Sequence, residues 1–293
     1  MDAKKVKANG IELAYETFGD PAATPMLLIM GLGTQMIAWP DELCEDLAGR
    51  GYWVVRYDNR DTGLSTHMSG LPAPSFFDVT LRRRKPPYTI DDMAGDALAL
   101  MHGLGMASAH VVGASMGGFI AQTVAVMQPE RVRSLTLIMT STGSRRVGNP
   151  KPAVFGRLTK RRIVNDRTTA QQAAVETFRI IGSKGYAFDE EYLMDLGGRS
   201  YDRGLDGHGY VRQLAAIAGP PDRTAKLRRL RLPTLVIHGL HDPLVAPSGG
   251  LAIARHLPNA KFVGYSGMGH DLPRELWADF AEEISALASK ADR

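Results

Sequence analysis

The chain has 293 residues, of which 44% are hydrophobic and 23% are charged, and its formal net charge is +4. This length suits one large globular domain, with or without an inserted subdomain. The charge excess is too small to predict binding to nucleic acid, and the sequence carries no motif of a nucleic-acid-binding module.

The sequence also bears on the compartment in which the protein works. The single cysteine, Cys44, excludes an intramolecular disulfide and is typical of a reducing compartment. The first ten residues are charged and no apolar stretch follows them, so no signal peptide is predicted. Residues 97–129 contain no Asp, Glu, Lys or Arg, but their glycines and changing periodicity indicate a helix, a buried strand and a second helix rather than a membrane span. We therefore expect a cytoplasmic protein.

Short apolar runs alternate with helical stretches, which predicts an α/β protein with a mostly parallel central sheet. The predicted strands are Ile11–Phe18, Met26–Met30, Tyr52–Tyr57, His110–Gly113, Ser134–Met139, Thr234–His238 and Lys261–Tyr265. The predicted helices are Asp41–Arg50, Ile90–Leu104, Met116–Met127, Ser248–His256 and Arg274–Lys290.

The alternation stops between about Ser141 and Arg231, where the composition becomes polar and basic. Helical stretches such as Thr168–Gly182 occur there, and no convincing strand does. Strands resume at Thr234, so both flanks belong to one sheet. We expect a helical cap at residues 141–231, inserted into a core formed by residues 1–140 and 232–293.

The stretch HVVGASMGGFIAQ, residues 110–122, joins a predicted strand to a predicted helix. Within it, Gly113 and Gly117 lie two positions on either side of Ser115. A strand, a Gly-X-Ser-X-Gly turn and a helix form a nucleophile elbow, so we predict Ser115 as the nucleophile. The backbone N–H of Met116, at the positive end of the following helix, is the predicted donor to an oxyanion.

A serine hydroxyl needs a base to take its proton and a carboxylate to orient that base. His270 lies in a glycine-rich loop after the last predicted strand, and Asp242 directly follows the strand before it. The carboxyl ends of parallel strands share one edge of a sheet, so both side chains are expected beside Ser115. The chain order Ser115, Asp242, His270 is that of a nucleophile-elbow hydrolase.

The remaining histidines differ in where they lie relative to the predicted elements. Structural roles are expected at His102, His110 and His256, which fall within predicted helices or strands, whereas His238, His241, His67 and His208 stay open as alternatives. Asp271, which follows His270, is expected to cap or pair locally.

A second oxyanion donor is expected in the glycine-containing loop after Met26–Met30. We assign it to the backbone N–H of Leu32, with the neighbouring Gly33 as the alternative. Losing one such donor typically costs about 10²–10³ in rate, so the pair matters for acyl transfer.

Together these residues resemble the α/β-hydrolase family. The stretch RYDNRDTGLST, residues 56–66, is similar to the family's D-x-R-G-x-G-x-S loop, with Asp61 in place of the usual glycine. Met30 stands where many members have histidine. A closer resemblance is to the aclacinomycin methylesterase group, which shares the Met-Gly loop, the Trp39-Pro40 pair, the R-Y-D-x-R-D-T-G-x-S loop, the S-M-G elbow and the G-M-G-H loop. The resemblance implies an α/β-hydrolase fold and an ester hydrolase with a helical cap, without carrying the substrate over.

A serine at the elbow excludes the relatives that use an aspartate nucleophile, and it favours acyl transfer through an acyl-enzyme. No G-x-G-x-x-G motif follows the first predicted strand and no cluster of His or Cys has metal-ligand spacing, so no cofactor is predicted. Three alternatives to a carboxylic ester hydrolase stay open: a cofactor-free haloperoxidase or perhydrolase, a carbon–carbon bond hydrolase, and a non-catalytic receptor for a small ligand.

The predicted partner is a small-molecule ester with an apolar acyl or alcohol part, and the sequence does not predict the oligomeric state. Basic clusters at residues 82–85, 160–162 and 228–229 are expected on a solvated surface, with attraction of anionic substrates or weak association with anionic lipid as the alternative. Phe76, Phe77 and Phe155 are candidates for an apolar acyl-binding wall.

Overall fold

The structure is a computed structural model that describes residues 3–75, 85–154, 164–218 and 222–293. Some of the predictions lie outside the described residues. These are the three phenylalanines at 76, 77 and 155 and the basic residues at 82–84 and 160–162.

Eight strands form one sheet, in the order β1-β2-β4-β3-β5-β6-β7-β8. The pairs β1–β2 and β2–β4 are antiparallel and all others are parallel, which confirms the predicted fold class. The strands are β1 (Lys4–Ala8), β2 (Ile11–Phe18), β3 (Thr24–Ile29), β4 (Tyr52–Tyr57), β5 (Ala109–Ala114), β6 (Val132–Ile138), β7 (Thr234–Gly239) and β8 (Ala260–Tyr265). All seven predicted strands are present, shifted by no more than two residues at either end, and β1 is the strand that the sequence analysis missed.

Helices cover both faces of the sheet, so β4, β5 and β7 are buried along their whole length. The helices are α1 (Asp41–Gly49), α2 (Ile90–Gly103), α3 (Met116–Met127), α4 (Arg167–Ile181), α5 (Glu190–Asp202), α6 (Gly207–Ala218), α7 (Thr224–Leu227), α8 (Ser248–His256) and α9 (Trp277–Ala291). Neighbouring residues of β3 point to opposite faces: Leu27 belongs to the core cluster with α2, α3 and α8, and Leu28 to the cluster with α1 and α9.

Helices α4–α7 occupy the chain between β6 and β7, and the described part of that stretch contains no strand. Hydrogen bonds join α5 and α6 to the loop after β3. The Gln35 amide donates to the Ser200 carbonyl at 2.8 Å, and the backbone N–H of Gly33 donates to Gln213 Oε1 at 2.7 Å. These helices therefore lie against the edge of the sheet where β3 ends.

None of the helices in the described ranges is both long and apolar enough to cross a membrane.

Candidate active site

The join between β5 and α3 is a tight turn with Ser115 at its apex. Ser115 has φ +54° and ψ −117°, a conformation that a residue with a side chain seldom adopts. The flanking glycines have no room for a side chain: a Cβ on Gly117 would lie 2.0 Å from the Ile29 carbonyl oxygen, and one on Gly113 would lie 2.3 Å from the Gly117 oxygen. The predicted elbow is therefore present, with the serine hydroxyl directed away from the close contact of strand and helix.

The structure brings the three predicted side chains together. His270 Nε2 lies 3.0 Å from Ser115 Oγ, and His270 Nδ1 lies 2.7 Å from Asp242 Oδ2. The other carboxylate oxygen of Asp242 accepts hydrogen bonds from the backbone N–H groups of Leu244 and Val245, both at 2.8 Å. Asp242 and His270 are both buried. This arrangement fixes one imidazole tautomer, with the proton on Nδ1 and the lone pair of Nε2 facing the serine.

Two backbone N–H groups beside the serine are available for an oxyanion. Gly31 packs so closely on Ser115 that a Cβ placed there would lie 3.2 Å from the serine Cβ, which brings the loop after β3 to the site. Among the described residues, the N–H of Leu32 has no acceptor, and that of Met116 has none outside its own helix. Because the Gly33 N–H is bound to Gln213, the structure favours Leu32 over Gly33 as the second donor.

Ser115 and His270 lie in the wall of a cavity of about 510 Å³. Most of its other side chains are apolar. They come from the loop after β3, from α3, from the loops after β6 and β7, from α4–α6 and from the segment between His270 and the start of α9. The helices contribute Phe178, Ile181, Tyr192, Leu193, Leu196, Tyr210, Leu214 and Ile217. Among the described lining residues, the Asp, Glu, Lys and Arg side chains are limited to Asp189, Asp271 and Arg274. The cavity therefore suits a mainly apolar ligand.

Three of the four histidines that stayed open, His67, His238 and His241, have side-chain partners other than Ser115. Of all eight histidines, His270 alone hydrogen bonds to Ser115 within the described part of the chain. His241 Nδ1 accepts from the Gly267 N–H at 2.9 Å, and His67 faces Asp206 at 3.3 Å.

His238 lies near the same oxygen of Asp242 that His270 contacts. Its Nε2 is 2.8 Å from the Val245 carbonyl and 3.6 Å from Asp242 Oδ2. The imidazole is fully buried, and burial lowers its pKa although the Val245 carbonyl and Asp242 favour the charged form and His270 opposes it. The ring is therefore neutral at pH 7 and donates from Nε2 to Val245.

A neutral buried His238 makes stability depend on pH. The unfolded chain takes up a proton on this residue near pH 6.5, and the folded chain does so only at lower pH. The free energy of unfolding therefore falls as the pH drops below about 6.5, by up to about 1.4 kcal/mol per pH unit. We expect H238Q, which keeps a donor for Val245, to lose less free energy of unfolding than the wild type between pH 7 and pH 5. Urea unfolding at both pH values measures this, and equal losses in the two proteins would contradict it.

The expectation that Asp271 pairs locally is wrong. Its carboxylate accepts hydrogen bonds from the backbone N–H and the hydroxyl of Ser183, which is 88 positions away in the chain. Sequence reasoning missed this pair because a contact at such a separation depends on how α4 is placed against the loop that carries His270.

A second polar cluster joins the loop after β4 to α6. Ligand atoms of Asp61, His67 and Asp206 lie within 4.8 Å of one another, a spacing that could hold a metal ion. The guanidinium of Arg212 already lies between the carboxylates, 2.8 Å from Asp61 and 2.9 Å from Asp206. Arg212 thus supplies the positive charge that these carboxylates require, and the cluster is explained as an ion-pair network.

Comparison with known proteins gives a consistent picture. A sequence profile of the alpha/beta hydrolase fold matches residues 24–181. The chain is 31% identical to the rhodomycin D methylesterase DnrP of Streptomyces peucetius, over 98% of both chains. It is 27% identical to 3-oxoadipate enol-lactonase 2 of Acinetobacter baylyi, over 85% of this chain and 83% of the relative.

Among solved structures, the enol-lactonase of Burkholderia xenovorans superposes with a TM-score of 0.75 at 25% identity, over 98% of this chain and all of the other. The resemblance seen in the sequence motifs is confirmed by these matches. The chain belongs to the alpha/beta hydrolase family.

Proposed function

We propose that the protein is a serine hydrolase that cleaves carboxylic esters through an acyl-enzyme on Ser115. The observation that carries this proposal is the unbroken hydrogen-bonded path from Asp242 through His270 to Ser115, which ends in an apolar cavity. The similarity of the chain to a methylesterase and to two enol-lactonases supports this proposal, because those names refer to the hydrolysis of esters and lactones.

The geometry supports a two-step mechanism. His270 Nε2 takes the hydroxyl proton as Ser115 Oγ attacks the ester carbonyl, and the tetrahedral oxyanion accepts hydrogen bonds from the N–H groups of Leu32 and Met116. His270 then gives the proton to the departing alkoxide, which leaves as the alcohol. Water, deprotonated by His270, attacks the acyl-enzyme, and the carboxylic acid leaves as Ser115 regains its proton. Asp242 stabilises the imidazolium in both steps.

We propose residues 141–231 as the cap of this enzyme. Its helices α4–α6 contribute eight apolar side chains to the cavity wall, so the cap would influence which substrates bind. The volume and apolar character favour an ester whose larger part is apolar, and the methylesterase relative favours methanol as the alcohol released.

The finer predictions about partners and location stay proposals. Arg228 and Arg229 are exposed, as a weak contact with anionic lipid surfaces would require. A cytoplasmic location also stays a proposal, and the free, buried thiol of Cys44 supports it.

The test uses the p-nitrophenyl esters of acetate, butyrate and octanoate, together with methyl esters of bulky aromatic acids. We expect a burst of p-nitrophenol equal to the number of active sites, followed by steady turnover. Parallel samples contain acetate with hydrogen peroxide, or a diketone, to detect the perhydrolase and carbon–carbon hydrolase alternatives. No release from any ester, with turnover of a rival substrate or tight ligand binding alone, would overturn the proposal.

A further inference from the structure

The loop that carries His270 is hydrogen-bonded to the end of α4 at three consecutive residues. The backbone N–H of His270 donates to the Ile181 carbonyl at 2.8 Å, and that of Gly269 donates to Ser183 Oγ at 2.9 Å. On the other side of the base, Asp271 accepts from the N–H of Ser183 at 2.9 Å and from its hydroxyl. Ser183 is therefore bonded to both neighbours of His270.

Glycines let the two segments touch backbone to backbone. A Cβ on Gly269 would lie 2.5 Å from the carbonyl carbon of Gly182, and one on Gly185 would lie 2.6 Å from the Cα of Gly267. The Gly267 carbonyl also accepts from the N–H of Gly185 at 3.0 Å. No side chain separates the segments, so a displacement of one displaces the other. We call residues 181–185 with residues 267–271 the clamp.

The clamp connects the base to the wall of the cavity. Phe178 and Ile181, at the end of α4, both line the cavity, as does Ser183. Asp242 holds only the ring of His270, at Nδ1, whereas the clamp holds its backbone. The position of Nε2 relative to Ser115 thus depends on two supports, one from β7 and one from α4.

We propose that Ser183 and Asp271 are positioning residues, which fix the backbone of His270 to the cap helix α4 and so set the distance from its base nitrogen to Ser115. This inference rests on the proposed ester hydrolysis. The Ser183 hydroxyl is the centre of the clamp because it donates to Asp271 and accepts from Gly269. Misplacing a catalytic group by about 1 Å can cost on the order of 10² in rate, so the loss belongs to kcat.

The test compares S183A with the wild type on p-nitrophenyl butyrate, with kcat calculated per active site titrated by an organophosphate. We expect kcat to fall about 10–100-fold with KM within about twofold of the wild-type value. S183T keeps the hydroxyl and is expected to retain a kcat within about threefold of the wild type. Because the rate is referred to titrated sites, partial unfolding cannot produce this pattern.

S285A is the matched control. Ser285 lies in α9, is as buried as Ser183 and uses its hydroxyl in contacts with Arg50 and the Glu282 carbonyl. Its kcat per titrated site is expected to equal that of the wild type. D271N and the double variant S183A/D271N complete a double-mutant cycle. Because both residues act through one clamp, kcat of the double variant should fall no further than kcat of the more impaired single variant.

Failure of the inference can be told from failure of the proposed function. If the wild type is active and S183A has the wild-type kcat per titrated site, the clamp is overturned and the proposed ester hydrolysis is not. The same holds if the fold-losses in kcat of the two single variants multiply in the double variant. A wild type without esterase activity would overturn the proposed function instead.

Discussion

Replacing Ser115 by alanine is expected to lower kcat for ester hydrolysis by about 10⁶-fold, since removal of a serine nucleophile in an enzyme of this mechanism costs about that much. The change deletes the atom that His270 Nε2 faces at 3.0 Å, and the described residues around the site offer no other hydroxyl bonded to that nitrogen. The backbone N–H groups of Leu32 and Met116 stay in place, so a small residual rate above the uncatalysed one should persist.

The measurement is p-nitrophenol release from the butyrate ester by the two proteins at equal concentration. Circular dichroism and the thermal midpoint of unfolding check that the variant is folded, and we expect both to match the wild type closely because alanine removes one oxygen only. Labelling by an organophosphate should disappear with the activity. A variant that kept more than about 1% of the wild-type rate would show that another group is the nucleophile and would end the assignment of Ser115.

The core of this site could be predicted because each of its residues has a local signature. Ser115 is marked by the glycines around it, and Asp242 and His270 each follow a strand that the apolar pattern identifies. The rule that parallel strands end at one edge then brings three distant residues together without knowledge of the packing. The approach of the loop that carries Leu32 to Ser115 was predictable for the same reason, because this loop follows β3.

The remaining features depend on contacts between distant segments. Strand β1 was missed because its sequence, KKVKA, is mostly charged, as suits an edge strand whose lysines face solvent. The pair Ser183–Asp271 gives no local signal, since nothing in the sequence says that the second residue after α4 meets the residue after His270. Helices α5 and α6 were predicted only as part of a helical region without bounds. The period of an amphipathic segment indicates a helix but not the surface that the helix covers.

Contacts in the fold explain why Asp61 stands at a position where the family usually has glycine. The φ of Asp61, +66°, is one that glycine adopts without strain. Its carboxylate accepts two hydrogen bonds from Arg212, both at 2.8 Å, and others from the Tyr88 hydroxyl at 2.7 Å and the Met68 N–H at 2.6 Å. Burial raises the pKa of Asp61, but these donors outweigh burial and the net pKa is lowered.

We therefore expect R212M to destabilise the protein by about 3–5 kcal/mol at pH 7, since it leaves the carboxylate of Asp61 buried without its partner. Asp61 and Arg212 are only 3% and 2% exposed, so water cannot replace the lost guanidinium without opening the contact between α6 and the loop after β4. Urea unfolding of the two proteins measures the difference. The matched control is R229M, which removes the same charge from an exposed side chain and should change stability by less than about 0.5 kcal/mol.

The pH dependence of that loss identifies its cause. In the wild type, the lowered pKa of Asp61 contributes stability above about pH 4, the pKa of the unfolded chain, and this contribution is lost as the pH falls through the lower pKa of the folded chain. In R212M the unpaired carboxyl takes up a proton more readily, so the gap in stability between the two proteins should narrow as the pH falls from 7 to 4. A gap independent of pH would point to lost packing of the arginine side chain instead.

The double variant D61G/R212M separates the buried charge from the rest of the contact. Glycine removes the carboxylate and relieves the positive φ, so this protein is expected to recover at least half of the stability that R212M loses, although Asp206 and Tyr88 lose a partner. If D61G/R212M were as unstable as R212M, the loss would come from the missing arginine alone, and the ion pair could not be what joins α6 to the loop after β4. Recovery would mean that the buried carboxylate of Asp61 lowers the free energy of unfolding when Arg212 is absent, so that the two residues stabilise the fold only as a pair.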